Sequence, residues 1–219
     1  MSTKQSRRPP AGDGLTIVGL VGQAGSGKSS IARVFERDGA RVIDADAIGH
    51  QVVDEDATVR QALSGEYGED IYTVSGLDRS RVAAKVFRDS KARQRLNRLV
   101  HPRIVERIDA ELAKLLEAGY RGVVVVDAAL LLDWGFEREC DVVIAVTAER
   151  GVQLERLLRQ RGWSAEEATR RIAAQRPVTV FAAAADAVIP NNGSQDETER
   201  VARDTLKALL AASPGEPKE

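Results

Sequence analysis

Apolar positions along this chain fall into two kinds of run. Continuous aliphatic stretches at 17–21, 122–127 and 142–146 carry no period and are bounded by glycine or acidic residues. Runs of this length predict strands buried on both faces, as in a parallel sheet covered by helices. Shorter runs at 40–43 and 187–189 predict two more strands. Elsewhere apolar residues recur three and four positions apart. Ile31, Val34 and Phe35 predict a helix over about 28–37, closed by Asp38 and Gly39. Ile104, Ile108, Leu112 and Leu115 predict one over about 102–118, with Pro102 in its first turn and Gly119 past its end. Helices are also predicted over about 148–160, 165–175 and from 195 to about 210. Ser164 with Glu167, and Ser194 with Glu197, form capping boxes that open the last two.

Strands alternating with helices predict an α/β domain with a five-stranded, mainly parallel sheet in a three-layer arrangement. Residues 47–120 break the alternation. They hold no convincing strand, short helical segments are predicted at 57–64, 79–87 and 90–99, and the excursion is too long for a simple crossover. It reads as a helical insertion suited to hold a second substrate. The expected organisation is therefore a leader (1–14) without order, one domain over 15–212 with the insertion at 47–120, and a mobile tail at 213–219.

Composition narrows the class. Of the 219 residues 43 % are hydrophobic and 30 % charged, which is globular, and the formal net charge of −1 gives no reason to expect nucleic acid as a partner. No apolar run approaches membrane-spanning length, and residues 1–14 lack the apolar core of a secretory signal. The single cysteine, Cys140, precedes an apolar run and reads as a core filler in a reducing cytoplasm. Two histidines and one cysteine supply no metal-ligand cluster. The chain is expected to act as a monomer or weak homo-oligomer.

The candidate chemistry begins directly after the first strand. Gly22, Gly27, Lys28 and Ser29 satisfy the phosphate-loop spacing, between a predicted strand and a predicted helix. Glycines let the backbone approach phosphate oxygens, and the helix N-terminus adds partial positive charge. Lys28 supplies a cation for the β- and γ-phosphates, and Ser29 a hydroxyl for Mg²⁺. The strand at 122–127 ends in Asp127, placed to hold Mg²⁺ directly or through water. The second strand runs into Asp44 and Asp46. If the strands are parallel, these acids share a rim with the phosphate loop, and one of the two caps the following helix. Around the turn between the helices at 148–160 and 165–175 lie Arg156, Arg159, Arg161, Arg170, Arg171 and Arg176. They suit either a lid at 156–176 that closes over a triphosphate or, with glutamates interleaved, a solvated face.

These motifs in this order resemble the dephospho-CoA kinase family. The likeness runs from about Leu15 to Leu210 and rests on IVGLVGQAGSGKSSIARVF, ARVIDADAIGHQVV, Val100-His101-Pro102, Asp127 with Leu130-Leu131, RRIAAQ and ADAVIPNNG. It implies a phosphate-loop kinase fold with a helical lid, and ATP-dependent phosphorylation of the ribose 3′-hydroxyl of dephospho-CoA. By the same resemblance Gly25, Ser26, Gly27, Lys28, Ser29 and Ser30 bind ATP phosphates. Asp46 orients or deprotonates the hydroxyl, and Asp44 and His101 lie on the acceptor side. The family's usual Gly-Gly-Ile-Gly is here Gly22-Gln23-Ala24-Gly25, and Ala129 stands where Pro is common. The lid arginine falls on Gln160, so Arg159 or Arg161 is expected to replace it. The stretch 177–185 is uncharged where the family usually carries charge. Another small-acceptor kinase, for a nucleoside or nucleotide, is the alternative, as is a CoA-binding homologue with impaired activity. A guanine-nucleotide switch would need an Asn-Lys-x-Asp-like motif, and Thr147 to Arg150 do not supply it.

Overall fold

A computed structural model describes residues 14–74, 76–82 and 90–212. The expected tail and all of the expected leader but Gly14 lie outside these residues, as does most of the helix expected at 79–87, of which 79–82 is helical. The chain forms two compact units, one from the residues up to Ile43 together with those from Leu115 onward, the other from Asp44 to Lys114.

The first unit is built on a sheet of β1 (Leu15–Val21), β2 (Arg41–Asp44), β5 (Gly122–Asp127), β6 (Val142–Thr147) and β7 (Ala187–Pro190). Their spatial order is β2-β5-β1-β6-β7. β1 pairs in parallel with β5, Leu15 opposite Gly122, and with β6, Val18 opposite Val142; β6 pairs in parallel with β7. β1 is central, and the chain winds to one side of it before β5 and to the other after. A loop leaving its carboxyl end therefore sits at the switch point where open α/β sheets bind ligands.

Alternate residues of β1 explain the layers. Val18 and Leu20 face a cluster with Ile31, Val34 and Phe35 of α1 (Lys28–Arg37) and Ala202 of α9 (Gln195–Ala212). Gly19 points the other way, where a Cβ would press on Cys140 Sγ and Leu131. That face carries α5 (Leu131–Trp134) and α8 (Val178–Ala184), whose Leu131 and Phe181 are buried. Cys140, buried and in no disulfide, is thus the core filler its neighbours predict. Two further helices, α6 (Arg150–Arg161) and α7 (Ala165–Ala173), pair around Leu157, Ala168 and Ile172. Among the described residues no helix is long and apolar enough to cross a membrane.

The second unit holds α2 (Ala45–Glu55), α3 (Ala57–Tyr67), a hairpin of β3 (Tyr72–Thr73) and β4 (Gly76–Leu77), and most of α4 (Ser90–Glu117). Two expectations are corrected here. The hairpin was not expected, because two-residue strands show no alternation. Tertiary bonds hold it instead: Leu77 N donates to Asp54 Oδ1 (2.7 Å), and Tyr72 Oη donates to the Val53 carbonyl (2.7 Å). The helices expected at 90–99 and 102–118 are one, with Pro102 inside it. Val100, Ile104, Ile108 and Leu112 form a buried stripe that runs through the proline, whose own position is exposed. The helix thus loses one backbone bond on its wet side, where water can satisfy the freed carbonyl, while its apolar face stays continuous. In the first unit α8 is a third difference. It lies in the uncharged stretch 177–185, which has no polar face to give a helical period.

Candidate active site

Chain geometry makes the loop after β1 a cradle. Gly25 and Gly27 adopt φ of 75° and 94°, left-handed values that cost other residues roughly 1 kcal/mol or more. A Cβ on Gly27 would also collide with the Asn191 amide. Gly27 is the N-cap of α1 and offers no side-chain hydrogen bond to it, and the first turn contains no acid. The N–H groups of Lys28 and Ser29 precede the first bonds of α1, which run from Ser30 N and Ile31 N to the Gly27 carbonyl, so the loop ends in a concavity of donors at the positive end of a helix.

Lys28 is buried, and its Nζ donates to the Gly22 carbonyl (3.1 Å), folded back over the loop. The exposed Ser29 donates its hydroxyl to Asp127 Oδ2 at 2.8 Å. Two hard oxygen donors, one from α1 and one from the end of β5, thus meet at one point. They suit Mg²⁺, which takes one or two protein oxygens and completes its shell with water and phosphate. No cluster of three or more acids, histidines and cysteines that could hold a metal occurs among the described residues, so any cation here would depend on its substrate for ligands.

The rest of the loop is fastened by residues that the sequence does not assign to it, Arg156 among them, which was expected on a lid or a solvated face. Arg156 Nη1 donates to the carbonyls of Gly25 (3.4 Å) and Ser26 (3.3 Å), and Nη2 to Asn191 Oδ1 (3.1 Å). Burial, then the neighbouring charge of Arg159, pushes the Arg156 pKa below its ordinary value. Asn191 Nδ2 donates to the Ser26 carbonyl at 2.9 Å. On the other side Ala24 N donates to Gln175 Oε1 (2.8 Å) and Gln23 Nε2 to the Arg176 carbonyl (3.0 Å). Gln153 Nε2 donates to Gln23 Oε1 (3.3 Å), and the Ala24 methyl packs on the Leu157 cluster. The sequence signals were present but ambiguous: Asn191 opens a turn-forming Asn-Asn-Gly, and Gln175 ends the RRIAAQ block.

The sequence-derived candidates divide into three groups. Gly25, Ser26, Gly27, Lys28, Ser29 and Ser30 lie together on the loop and first turn of α1, with Asp127 bonded to Ser29. Arg159 and Arg161 sit exposed in the last turn of α6. Among the described residues neither donates a hydrogen bond to the loop, whereas Arg156, one turn earlier, does. Asp44, Asp46 and His101 belong to the Asp44–Lys114 unit. Asp44 is the N-cap of α2, accepting from Ala47 N at 2.9 Å, and Asp46 is exposed in the first turn. Of the two acids, Asp44 is therefore the one with a capping role. The same unit carries an open groove of about 290 Å³ between α3 and α4, with Leu63, Leu96 and Leu99 along it and Arg95 and Arg98 beside them.

Comparison with known proteins finds relatives of one family. The model of the dephospho-CoA kinase family matches residues 16–197. The dephospho-CoA kinase of Geobacter sulfurreducens is 38 % identical over 187 residues, covering 85 % of this chain and 94 % of its own length. That of Thermobifida fusca is 40 % identical over 183 residues, covering 83 % and 90 %. A crystal structure from Thermus thermophilus aligns with a TM-score of 0.75 at 29 % identity, covering 91 % of this chain and 98 % of its own. A shikimate kinase from Acinetobacter baumannii, at a TM-score of 0.52 and 16 % identity over 95 % of this chain and 100 % of its own, shares the fold alone. With a family model spanning most of the described residues and curated relatives matching along nearly their whole length, the chain belongs to the dephospho-CoA kinase family.

Proposed function

We propose that this protein transfers the γ-phosphoryl group of ATP to the ribose 3′-hydroxyl of dephospho-CoA, giving coenzyme A and ADP. The observation that carries the phosphoryl-donor half of the reading is the phosphate loop itself, with Lys28 folded over it and Ser29 bonded to Asp127 at 2.8 Å, and the acceptor follows from the family to which the chain belongs. Gly25 to Ser30 bind the phosphate oxygens, with the N–H groups of Gly27, Lys28 and Ser29 turned to them, and Lys28 swings from the Gly22 carbonyl to the β- and γ-phosphates. Ser29 and Asp127 would hold Mg²⁺, which supplies neutralisation of the charge that builds on the phosphates. Asp46 accepts the proton of the 3′-hydroxyl as that oxygen bonds to phosphorus and the bond to the ADP oxygen breaks. Phosphoryl transfer depends chiefly on alignment and charge neutralisation, so Asp46 needs no raised pKa for this role. Arg159 or Arg161 meets the transferred group from the lid at 156–176.

The helical insertion at 47–120 holds the acceptor, with Asp44 and His101 on that side. A groove with Leu63, Leu96 and Leu99 along it and Arg98 beside them, where Arg95 is paired with Glu66, offers chemistry suited to an acceptor that carries both a diphosphate and a long uncharged arm. The buried thiol of Cys140, in no disulfide, is consistent with a reducing cytoplasm. The test is an ATP-dependent assay with a panel of acceptors. Phosphorylation of dephospho-CoA with ADP release and strict dependence on Mg²⁺ is expected. Phosphorylation of a nucleoside or nucleotide instead would favour the other small-acceptor reading. Binding of dephospho-CoA without turnover would mark a kinase homologue that has lost activity.

A further inference from the structure

Asn191 follows β7 and is 165 residues from its partner on the phosphate loop, yet it is one of the most constrained polar side chains near the site. It is 6 % exposed. Its Nδ2 donates to the Ser26 carbonyl at 2.9 Å, and its Oδ1 accepts from Arg156 Nη2 at 3.1 Å and from Thr198 Oγ1 at 3.2 Å. Its own N–H donates to the Thr147 carbonyl at 2.7 Å, which fixes the backbone at the end of β6. Two donors on one oxygen leave the amide a single orientation, with the nitrogen toward the loop. Thr198 is buried as well, so α9 sets this orientation from behind.

We infer that Asn191 is a positioning residue that aims the Gly27 N–H at the nucleotide phosphates; this rests on the phosphate-loop reading above. One peptide unit transmits the effect. The Ser26–Gly27 peptide is trans and planar, so its C=O and N–H point in opposite directions. Holding the Ser26 carbonyl against Asn191 therefore turns the Gly27 N–H to the opposite side. That side is free to face a ligand, because Gly27 is the N-cap of α1 and its N–H is not used by the helix. The Asn191 amide also lies so close to Gly27 that no Cβ fits between them, which keeps this peptide in a conformation open to glycine. Arg156 reinforces the arrangement from the same side, through the carbonyls of Gly25 and Ser26. A phosphate loop selects its ligand with backbone donors, and backbone donors are aimed by whatever grips the carbonyls behind them.

Asn191→Asp is nearly isosteric and replaces the amide donor by an oxygen facing the Ser26 carbonyl. ADP binding measured by calorimetry is expected to weaken about tenfold or more, equivalent to about 1.4 kcal/mol, because a buried donor is replaced by a repulsive pair. Affinity for dephospho-CoA is expected to stay unchanged. In ¹⁵N-labelled protein, the Gly27 amide shift that ADP induces in the natural chain is expected to be lost. Unchanged ADP affinity in a folded Asn191→Asp protein overturns the inference and leaves the phosphate-loop reading intact. Failure of the natural chain to bind ADP overturns both. If Asn191→Asp does not fold, Thr198→Val decides: it removes one of the two donors that orient the amide, severalfold weaker ADP binding is expected, and unchanged binding overturns the inference.

Discussion

Replacing Gln175 by methionine cuts one tie between the phosphate loop and the helical pair α6–α7 while nearly conserving side-chain volume. The bond removed is from Ala24 N to Gln175 Oε1, at 2.8 Å. A neutral hydrogen bond contributes about 0.5–1.5 kcal/mol net, and a donor left without a partner costs about 1–3 kcal/mol when water cannot reach it. Ala24 and Gln175 are both half-buried, so water reaches part of the way and the lower figures apply, about 1 kcal/mol. The second tie, from Gln23 Nε2 to the Arg176 carbonyl, remains, and Arg176 stays anchored to Asp133 at 2.8 Å. For a chain of this size the loss corresponds to a fall in Tm of about 2–4 °C. If the tie also holds the loop in its phosphate-ready shape, the same energy appears as a rise of about fivefold in the KM for ATP, with the KM for dephospho-CoA unchanged. Thermal unfolding and initial rates with each substrate varied in turn measure the two quantities. A Tm that falls as calculated with an unchanged KM for ATP would refute the coupling of loop to helices. Both quantities unchanged would refute the energy assigned to the bond itself.

Three further outcomes are expected. Asp46→Asn lowers turnover by about a hundredfold or more, the range for loss of a general base, while calorimetry finds ATP affinity nearly unaltered; an unchanged rate removes Asp46 from the mechanism. Arg159→Ala and Arg161→Ala are compared by turnover with ATP saturating, and the one that replaces the arginine missing at Gln160 loses severalfold; if neither matters, the lid assignment is wrong. Hydrogen bonds from Arg37, then Gln195, hold the Glu199 carboxyl down to about 2 from its ordinary 4.5. A depressed folded-state pKa contributes stability that is present above the unfolded value and is lost as pH falls through the interval toward about 2. Glu199→Gln should therefore flatten the loss of stability between about pH 4.5 and 2, read from thermal melts across that range, and an unaltered slope would show that the pair adds nothing.

The parts of the fold that were legible share a physical cause. β1, β5 and β6 are covered on both faces, so burial alone demands uninterrupted aliphatic residues, and that demand is visible without any tertiary information. Helix caps were legible for the same reason, since Ser164 accepts from Glu167 N and Ser194 from Glu197 N only three residues away. What failed was structure whose cause lies elsewhere in the chain. Pro102 signals a helix start by its own chemistry, but the buried stripe from Val100 to Leu112 carries the helix through it. The hairpin at Tyr72–Thr73 and Gly76–Leu77 exists because Asp54, more than twenty residues earlier, accepts the Leu77 N–H. The stripe does leave a helical period, which the proline's signal overrode, whereas the hairpin's dependence on Asp54 leaves none.

The site shows the same division, and it bears on how the loop departs from its relatives. The placement of Lys28, Ser29 and the glycines on one loop was legible because they are neighbours in sequence, and that of Asp127 because a strand ending in an acid is a recognisable end. Gln23 and Ala24 occupy the variable positions of the motif, where the pattern alone treats any residue as equivalent. In the folded chain they are the two positions through which the loop meets α6 and the turn after α7. Gln23 bonds to Gln153 and to the Arg176 carbonyl, and Ala24 packs on the Leu157, Ala168 and Ile172 cluster while its N–H reaches Gln175. A glycine at 23 would forfeit two side-chain bonds that cross from the loop to those helices. The loop's freedom is therefore limited from two directions: by Gln175 and the Arg176 carbonyl on one side, and by Arg156 and Asn191 on the other. The motif specifies which residues are proposed to touch phosphate. How firmly they are held depends on residues more than a hundred positions later, which is why the variable positions carry information that the pattern discards.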